Sequence, residues 1–328
     1  MKSKLLVLGS LPFVLSIMGC DNIAGLKEIK FDYIFTAQPV VSATNSTIFK
    51  NIQDDFASID EGNGLITQAS IFIKNVENAS MPDKIDSFLK DLEGSISRGV
   101  INPDLIKEGI ESVGSVQEQQ DKFGVPGAMA KKVTMANNGF SLGYKNAFEI
   151  KDEIYSFVNL LTNNGFETIS EDAYYFWPFD RVPVYTDYSD LKILAPTGAP
   201  AVALYSLAGN SNFETTSNPQ TGLIPQFKTG NYDIIIAPTH GGLTQIIKQN
   251  AQYKIAATIT FGNFYIVATG NDDDEIMNEG DKVLIFQEND VPGKVFNYLY
   301  KDLKLDITAV AAVSDTKLVI ENGGVLKL

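Results

Sequence analysis

The sequence nearly repeats one short turn. Leu194-Ala-Pro-Thr-Gly-Ala199 and Ile236-Ala-Pro-Thr-His-Gly-Gly242 each follow an apolar strand-like run. Each then opens an apolar-periodic stretch, Val202–Leu207 after the first and Leu243–Lys248 after the second. A polar turn at the carboxyl end of a strand, just ahead of a helix, presents N–H groups and the positive end of a helix dipole. Open α/β sheets take their ligands at such places. Thr197, Gly198 and Ala199, together with Thr239, His240 and Gly241, are therefore candidate ligand contacts: their hydroxyls and amides suit an anionic or amide-like oxygen. For either copy alone, Pro and Gly shaping a turn and Thr capping a helix is the plainer explanation. The recurrence favours binding. Two looser relatives add polar donors. Thr36-Ala-Gln-Pro39, leading towards a helix predicted over Thr47–Phe56, offers Gln38. Phe286-Gln-Glu-Asn-Asp-Val-Pro292, leading into Gly293–Tyr300, offers Asn289.

The types of residue present narrow the chemistry. The chain has one histidine and one cysteine, so a His/Cys metal site or a Cys–His nucleophile pair has no material to be built from. His240 serves equally well as a turn residue or as a contact. No Arg or Lys lies inside the four turns, although Lys192 is close in sequence. A small monoanion or a neutral heterocycle suits them better than a doubly charged anion. Tyr174-Tyr-Phe-Trp-Pro-Phe179 is a dense aromatic cluster that reads first as core or as a strap, with Trp177 offering a stacking face to a planar ligand. No cofactor is expected. A net charge of −14 argues against nucleic acid and against a polybasic grip on anionic lipid.

The beginning of the chain speaks to compartment. Met1-Lys-Ser-Lys precedes an apolar run from Leu5 to Met18 of about 14 residues, the length of a signal-peptide core and too short to span a bilayer comfortably. It ends in Ile17-Met18-Gly19-Cys20, a lipobox-like sequence. Cys20 is the only cysteine, which excludes a disulfide within the chain and suits a lipid-attachment site. The expectation is a signal peptide over residues 1–19, a lipid-anchored linker over 20–25, and an extracytoplasmic protein held to a bacterial membrane through Cys20. About 308 residues then remain, enough for two lobes with a core each.

The elements that must position the turns read as α/β. Strand-like runs apolar on both faces cover Asp32–Ala37, Leu65–Ile73, Leu191–Ala195, Asp233–Ala237, Tyr253–Ile259, Phe264–Ala268, Lys282–Phe286 and Ile307–Val313. Runs of this kind suit a buried parallel sheet. Helical patterns occupy Met81–Ser97, Pro103–Phe123 and Asn146–Thr162; Ser211–Gly222 reads as a polar loop and Asn271–Glu275 as an acidic turn.

At these residues the chain resembles the type-two solute-binding proteins of ABC importers, in the branch with sulfonate-, nitrate- and thiamine-precursor-binding members. Lys192-Ile-Leu-Ala-Pro-Thr-Gly-Ala-Pro-Ala-Val-Ala-Leu204 looks like the first strand and helix of that fold. Gly230-Asn-Tyr-Asp-Ile-Ile-Ile-Ala-Pro-Thr-His-Gly-Gly242 is similar to the later segment that closes one side of the pocket. Ala257-Thr-Ile-Thr-Phe-Gly-Asn-Phe-Tyr-Ile-Val-Ala268 looks like the strand that crosses to the second lobe, and Asp281-Lys-Val-Leu-Ile-Phe286 like that lobe's first strand. The resemblance implies a two-lobed, periplasmic-binding-protein-like fold, each lobe a mostly parallel sheet flanked by helices, with a hinge between them. It also implies a monomer that captures a small molecule by closing on it and delivers it to an ABC permease.

The order of the segments is unusual, because the stretch resembling the family's second half, Asp32-Tyr-Ile-Phe-Thr-Ala-Gln-Pro-Val-Val41 onward, comes first. The helix-like Ser314–Asn322 should feed a strand with the character of Lys30–Ala37, which should pair beside Ile307–Val313. This reads as a circular permutation, with the present ends meeting in lobe two and the family's usual ends joined through Ser170–Asp190; termini that lie close together make it tolerable. Lobe two is then 26–66 and 270–328, and lobe one is 67–269. Gln68 and Asn263 fall near the crossings and become candidate contacts. A pyrimidine-synthesising enzyme family shares this fold, but its histidine chemistry needs convergent titratable groups that one histidine does not supply. An adhesin or sensor lipoprotein is the third reading.

Overall fold

Alternation between apolar strands and short helices gives an α/β protein in the computed structural model, which describes residues 4–5, 28–58, 64–75, 81–136, 139–162, 175–178, 184–270 and 277–327. Cys20, the linker 20–25 and the acidic turn Asn271–Glu275 lie outside the described residues. By contacts the chain divides into two compact units, Met1–Ile52 with Phe264–Leu328, and Gln53–Asn263. Sequence reasoning put the boundaries at 66/67 and 269/270. Both fall earlier, the second because strand Phe264–Ala268 pairs with Tyr33–Ala37 and Ile48–Asn51 and so belongs to the first unit's sheet.

In the first unit the sheet runs Lys4–Leu5, Asp306–Val310, Lys282–Phe286, Tyr33–Ala37, Phe264–Ala268, Ile48–Asn51. The first four are mutually parallel and Phe264–Ala268 is antiparallel to both of its neighbours. Phe35 anchors this unit's core, its ring 5.1 Å from Phe296, 5.4 Å from Phe286 and 5.7 Å from Phe264. In the second unit the order is Leu142–Asn146, Tyr253–Phe261, Thr67–Lys74, Ile234–Pro238, Ile193–Pro196, Phe213–Thr216. Only the last three are parallel to one another. Helix Met81–Ile101 places Ile85, Phe88, Leu89, Leu92 and Ile96 on one buried stripe, and these join Ile71, Ile73, Ile193 and Ile234 in a shared core.

Both sheets are therefore mixed, where the sequence suggested mostly parallel ones. Thr67–Lys74 and Tyr253–Phe261 are almost wholly buried yet pair antiparallel. A continuous apolar run reports burial on both faces and carries no information about strand direction.

The two sheets share one connectivity. In the second unit, Ile193–Pro196 comes first, Phe213–Thr216 second and Ile234–Pro238 third, and they lie side by side as second, first, third. An antiparallel strand, Thr67–Lys74, follows beside the third, and Tyr253–Phe261 beyond it points the same way as the block. In the first unit, Lys282–Phe286 and Asp306–Val310 take the first and second places. Tyr33–Ala37 holds the third, Phe264–Ala268 is the antiparallel strand, and Ile48–Asn51 is the fourth. The path from second to third strand thus passes through the chain ends. Helix Val313–Glu321 packs on Tyr33–Ala37, with Thr316 and Thr36 hydroxyls 2.6 Å apart, and Val325–Lys327 pairs antiparallel with Glu28–Lys30 so that Lys327 faces Glu28. Sequence reasoning expected 30–37 directly beside 307–313; strand Lys282–Phe286 lies between them.

Other elements differ from expectation for local reasons. The helix over Pro103–Phe123 is two, Pro103–Glu111 and Val116–Phe123, parted at Gly114 (φ +125°), and the second is opened by a Ser115–Glu118 capping box. The stretch Thr47–Phe56 is strand Ile48–Asn51 followed by helix Ile52–Ala57, and the helix after Gln38-Pro39 is Val40–Thr44. Ser211–Gly222 contains strand Phe213–Thr216. The helix expected from Asn146 begins at Lys151, because Leu142–Asn146 is an edge strand.

Candidate functional site

The carboxyl ends of the parallel block bring three turns of the second unit to one edge. Pro196 is paired with Thr216, and Leu194 with Ile235, so the turns at Thr197, after Thr216 and at Thr239 are neighbours. Gly198 sits at φ +95°, ψ −150°, a conformation open to glycine and strained for other residues. The amides expected to be free here are not. Thr197 N–H donates to the Thr216 carbonyl and Gly198 N–H to the Phe123 carbonyl, both at 2.9 Å. Ala199 is buried and starts the five-residue helix Ala199–Ala203.

Thr239 is also placed differently from expectation. It is fully buried, and its hydroxyl lies 2.7 Å from Ser70 Oγ, which in turn lies 2.9 Å from Thr258 Oγ1. Its side chain belongs to a hydroxyl chain that ties helix Thr239–Gln249 to the sheet. The first turn of this helix has no side-chain cap and no acidic residue, so its leading N–H groups and the positive end of its dipole are the donor set of this edge. His240 is half-buried, and its carbonyl accepts from Thr244 Oγ1. At Gly241 an added Cβ would stand 3.2 Å from Ile224 Cδ1.

The third turn was read as a plain loop. Here Asn218 Oδ1 accepts from the amides of Gln220 and Thr221, folding 218–223 over the edge. The Asn218-Pro219 pair is the sequence signal for this turn.

In the first unit, Gln38 and Asn289 follow the parallel neighbours Tyr33–Ala37 and Lys282–Phe286, so they share one edge as well. Gln38 is buried, and its Oε1 accepts from Ser42 N–H at 3.1 Å; the Gln38–Pro39 peptide is cis. Asn289 is exposed in the turn before helix Val291–Leu299. Gln68 lies on strand Thr67–Lys74 with Oε1 shielded and lacking a hydrogen-bond partner. Asn263 is buried at φ +65° in the turn that follows Tyr253–Phe261, and Phe261 pairs with Thr67. That pairing brings the neighbourhoods of Gln68 and Asn263 together.

A set of amides and hydroxyls can hold an oxygen acceptor. Among the described residues, no group of three or more His, Cys, Asp or Glu is placed to hold a metal ion, and no helix is long and apolar enough to cross a membrane. Comparison with protein-family models, with curated proteins and with solved structures finds no match to this chain.

Proposed function

We propose that the chain is a lipid-anchored, extracytoplasmic solute-binding protein that passes a small polar or monoanionic organic ligand to an ABC permease. The observation that carries this reading is the repeated connectivity. Each unit ends a parallel block in turns that carry polar residues at its carboxyl edge, which is where such sheets take ligands. On this reading the two units act as lobes joined by a hinge, and the ligand stabilises the closed form by contacting both. The first unit would contribute Gln38 and Asn289. The second would contribute Thr197 and the amides of His240 and Gly241. The circular permutation accounts for the route from second to third strand through the chain ends.

Anchoring rests on the lysine-flanked apolar run and the lone Cys20. Processing before Cys20 would also remove Lys4–Leu5 and leave Asp306–Val310 as the edge strand. A fatty-acid probe fed to producing cells should label the wild type and not Cys20→Ala; equal labelling of both would overturn the anchor. For the binding role, protein purified from its source and denatured should release one small molecule identifiable by mass spectrometry. That compound should bind the stripped, refolded protein in calorimetry. Protein that releases nothing, and binds nothing from a panel of small organic anions and heterocycles, would refute it.

A further inference from the structure

The second unit holds a cavity of about 530 Å³, lined by none of the turn residues described above. One wall is a face of helix Met81–Ile101, where Asp86, Leu89, Lys90 and Glu93 follow helical spacing. Tyr144 and Asn146 from strand Leu142–Asn146, and Glu149 just beyond it, form another. Trp177 closes the third side. Its backbone N–H donates to the Ile255 carbonyl and its indole N–H to Asp86 Oδ1 at 2.8 Å, so the ring is fixed in place.

We propose that this cavity binds a small organic cation, with the ammonium group against Asp86, Glu93 and Glu149 and the apolar body against Trp177 and Tyr144. Surface carboxylates by themselves make an ordinary solvated face. Here one of them, Asp86, is 9% exposed, and it shares a half-open cavity with a buried indole and a partly buried phenol. Aromatic faces attract cations, and they do so more strongly when water is displaced. A buried carboxylate gives an ammonium group both a hydrogen bond and the attraction of opposite charge, whereas a neutral donor gains the hydrogen bond alone. The electrostatics agree with the geometry. The Tyr144 phenol is pushed well above its ordinary range, first by burial and then by the negative charges of Glu93, Asp86 and Glu149, so three carboxylates act on one point of the wall.

Two lysines also line the cavity. The Lys145 ammonium is 5.8 Å from the centre of the Phe261 ring, which is not part of the lining, and Lys90 is solvent-exposed. Three carboxylates against these two lysines leave the lining with a net charge of −1, which favours a cation. A volume of this size accepts a molecule built on one ring and a short amine.

Trp177 is the only tryptophan in the chain, so its emission reports this cavity alone. The probe is phenethylammonium chloride, titrated into the full chain near neutral pH, with 2-phenylethanol as its neutral counterpart. A saturable change in emission is expected for the cation, with affinity at least about tenfold weaker for the alcohol. Asp86→Asn keeps an acceptor for the indole and should weaken the cation by about tenfold. Glu93→Gln with Glu149→Gln alters exposed side chains, leaves the fold intact and should weaken it in the same direction. The proposal is overturned by an emission that does not saturate, by equal affinity for amine and alcohol, or by unchanged affinity in the folded Glu93/Glu149 variant. None of these outcomes bears on release of a ligand from the carboxyl-edge turns.

Discussion

At the scale of single residues, the near-copy Ala-Pro-Thr turns use their threonines differently. Thr197 is half-buried and bonded through its backbone, whereas Thr239 is fully buried and bonded through its hydroxyl. The motif was visible in the sequence; this difference was not. It depends on Ser70, which comes from a strand far away in the chain, and on Thr258 bonded to it. The prediction follows from which groups are left stranded. Thr239→Val removes the hydroxyl while keeping the shape, and Ser70 retains only Thr258. The loss should be about 1–2 kcal/mol, within the usual range for a buried bond. Thr197→Ala leaves its backbone bond to Thr216 in place and should stay within about 0.5 kcal/mol of wild type. Urea unfolding of both variants measures this, and equal stabilities would show that the hydroxyl chain contributes nothing. Ligand affinity should respond in the opposite order, falling for Thr197→Ala and holding for Thr239→Val.

At the scale of elements, burial was easier to read than direction or length. All eight apolar runs picked out along the chain contain strands, because side chains buried on both faces leave an unbroken apolar signature. The short strands Ile48–Asn51, Leu142–Asn146 and Phe213–Thr216 are only partly buried, so they left no such signature. In helix Thr239–Gln249 the glycine next to the candidate contact Gly241 has a packing role. At Gly242 an added Cβ would stand 2.2 Å from Phe72 Cζ, on a ring that is fully buried and packed edge-on against Phe227. Gly→Ala ordinarily stabilises a helix interior by about 1 kcal/mol. Here the ring has nowhere to go, and overpacking of this kind costs about 1–3 kcal/mol. Gly242→Ala should therefore destabilise the protein, and Gly242→Ala combined with Phe72→Leu should recover part of the loss. A single variant more stable than wild type in thermal unfolding would mean that helix and strand pack less closely than described.

At the scale of the whole molecule, the chain's ends are the feature that the sheet order explains. Starting near residue 185 and passing through joined termini, the strands would appear in one simple succession. The second unit supplies its first, second, third and fourth strands, beginning at Ile193, Phe213, Ile234 and Tyr253. The first unit's antiparallel strand Phe264–Ala268 follows, then its own four, beginning at Lys282, Asp306, Tyr33 and Ile48, and finally the second unit's antiparallel strand Thr67–Lys74. Each unit's fourth strand then leads into the other's antiparallel strand. This order can be tested by making it. Residues 1–27 are removed, Leu328 is joined to Glu28 by a short Gly/Ser linker, and the chain is opened at Tyr185. The join is geometrically mild, because Lys327 already pairs with Glu28. The opening is mild as well, since Val184 and Tyr185 are among the most exposed apolar residues and lie outside helix and strand. A short closed loop costs little entropy, so the rearranged protein should unfold cooperatively within about 2 kcal/mol of a parent that lacks only residues 1–27. Opening the same joined chain inside helix Met81–Ile101, whose buried stripe fills the second unit's core, should prevent folding. If the Tyr185 opening fails as badly as the helix opening while the parent folds, the path through the termini is an accident of strand placement and not a rearranged order.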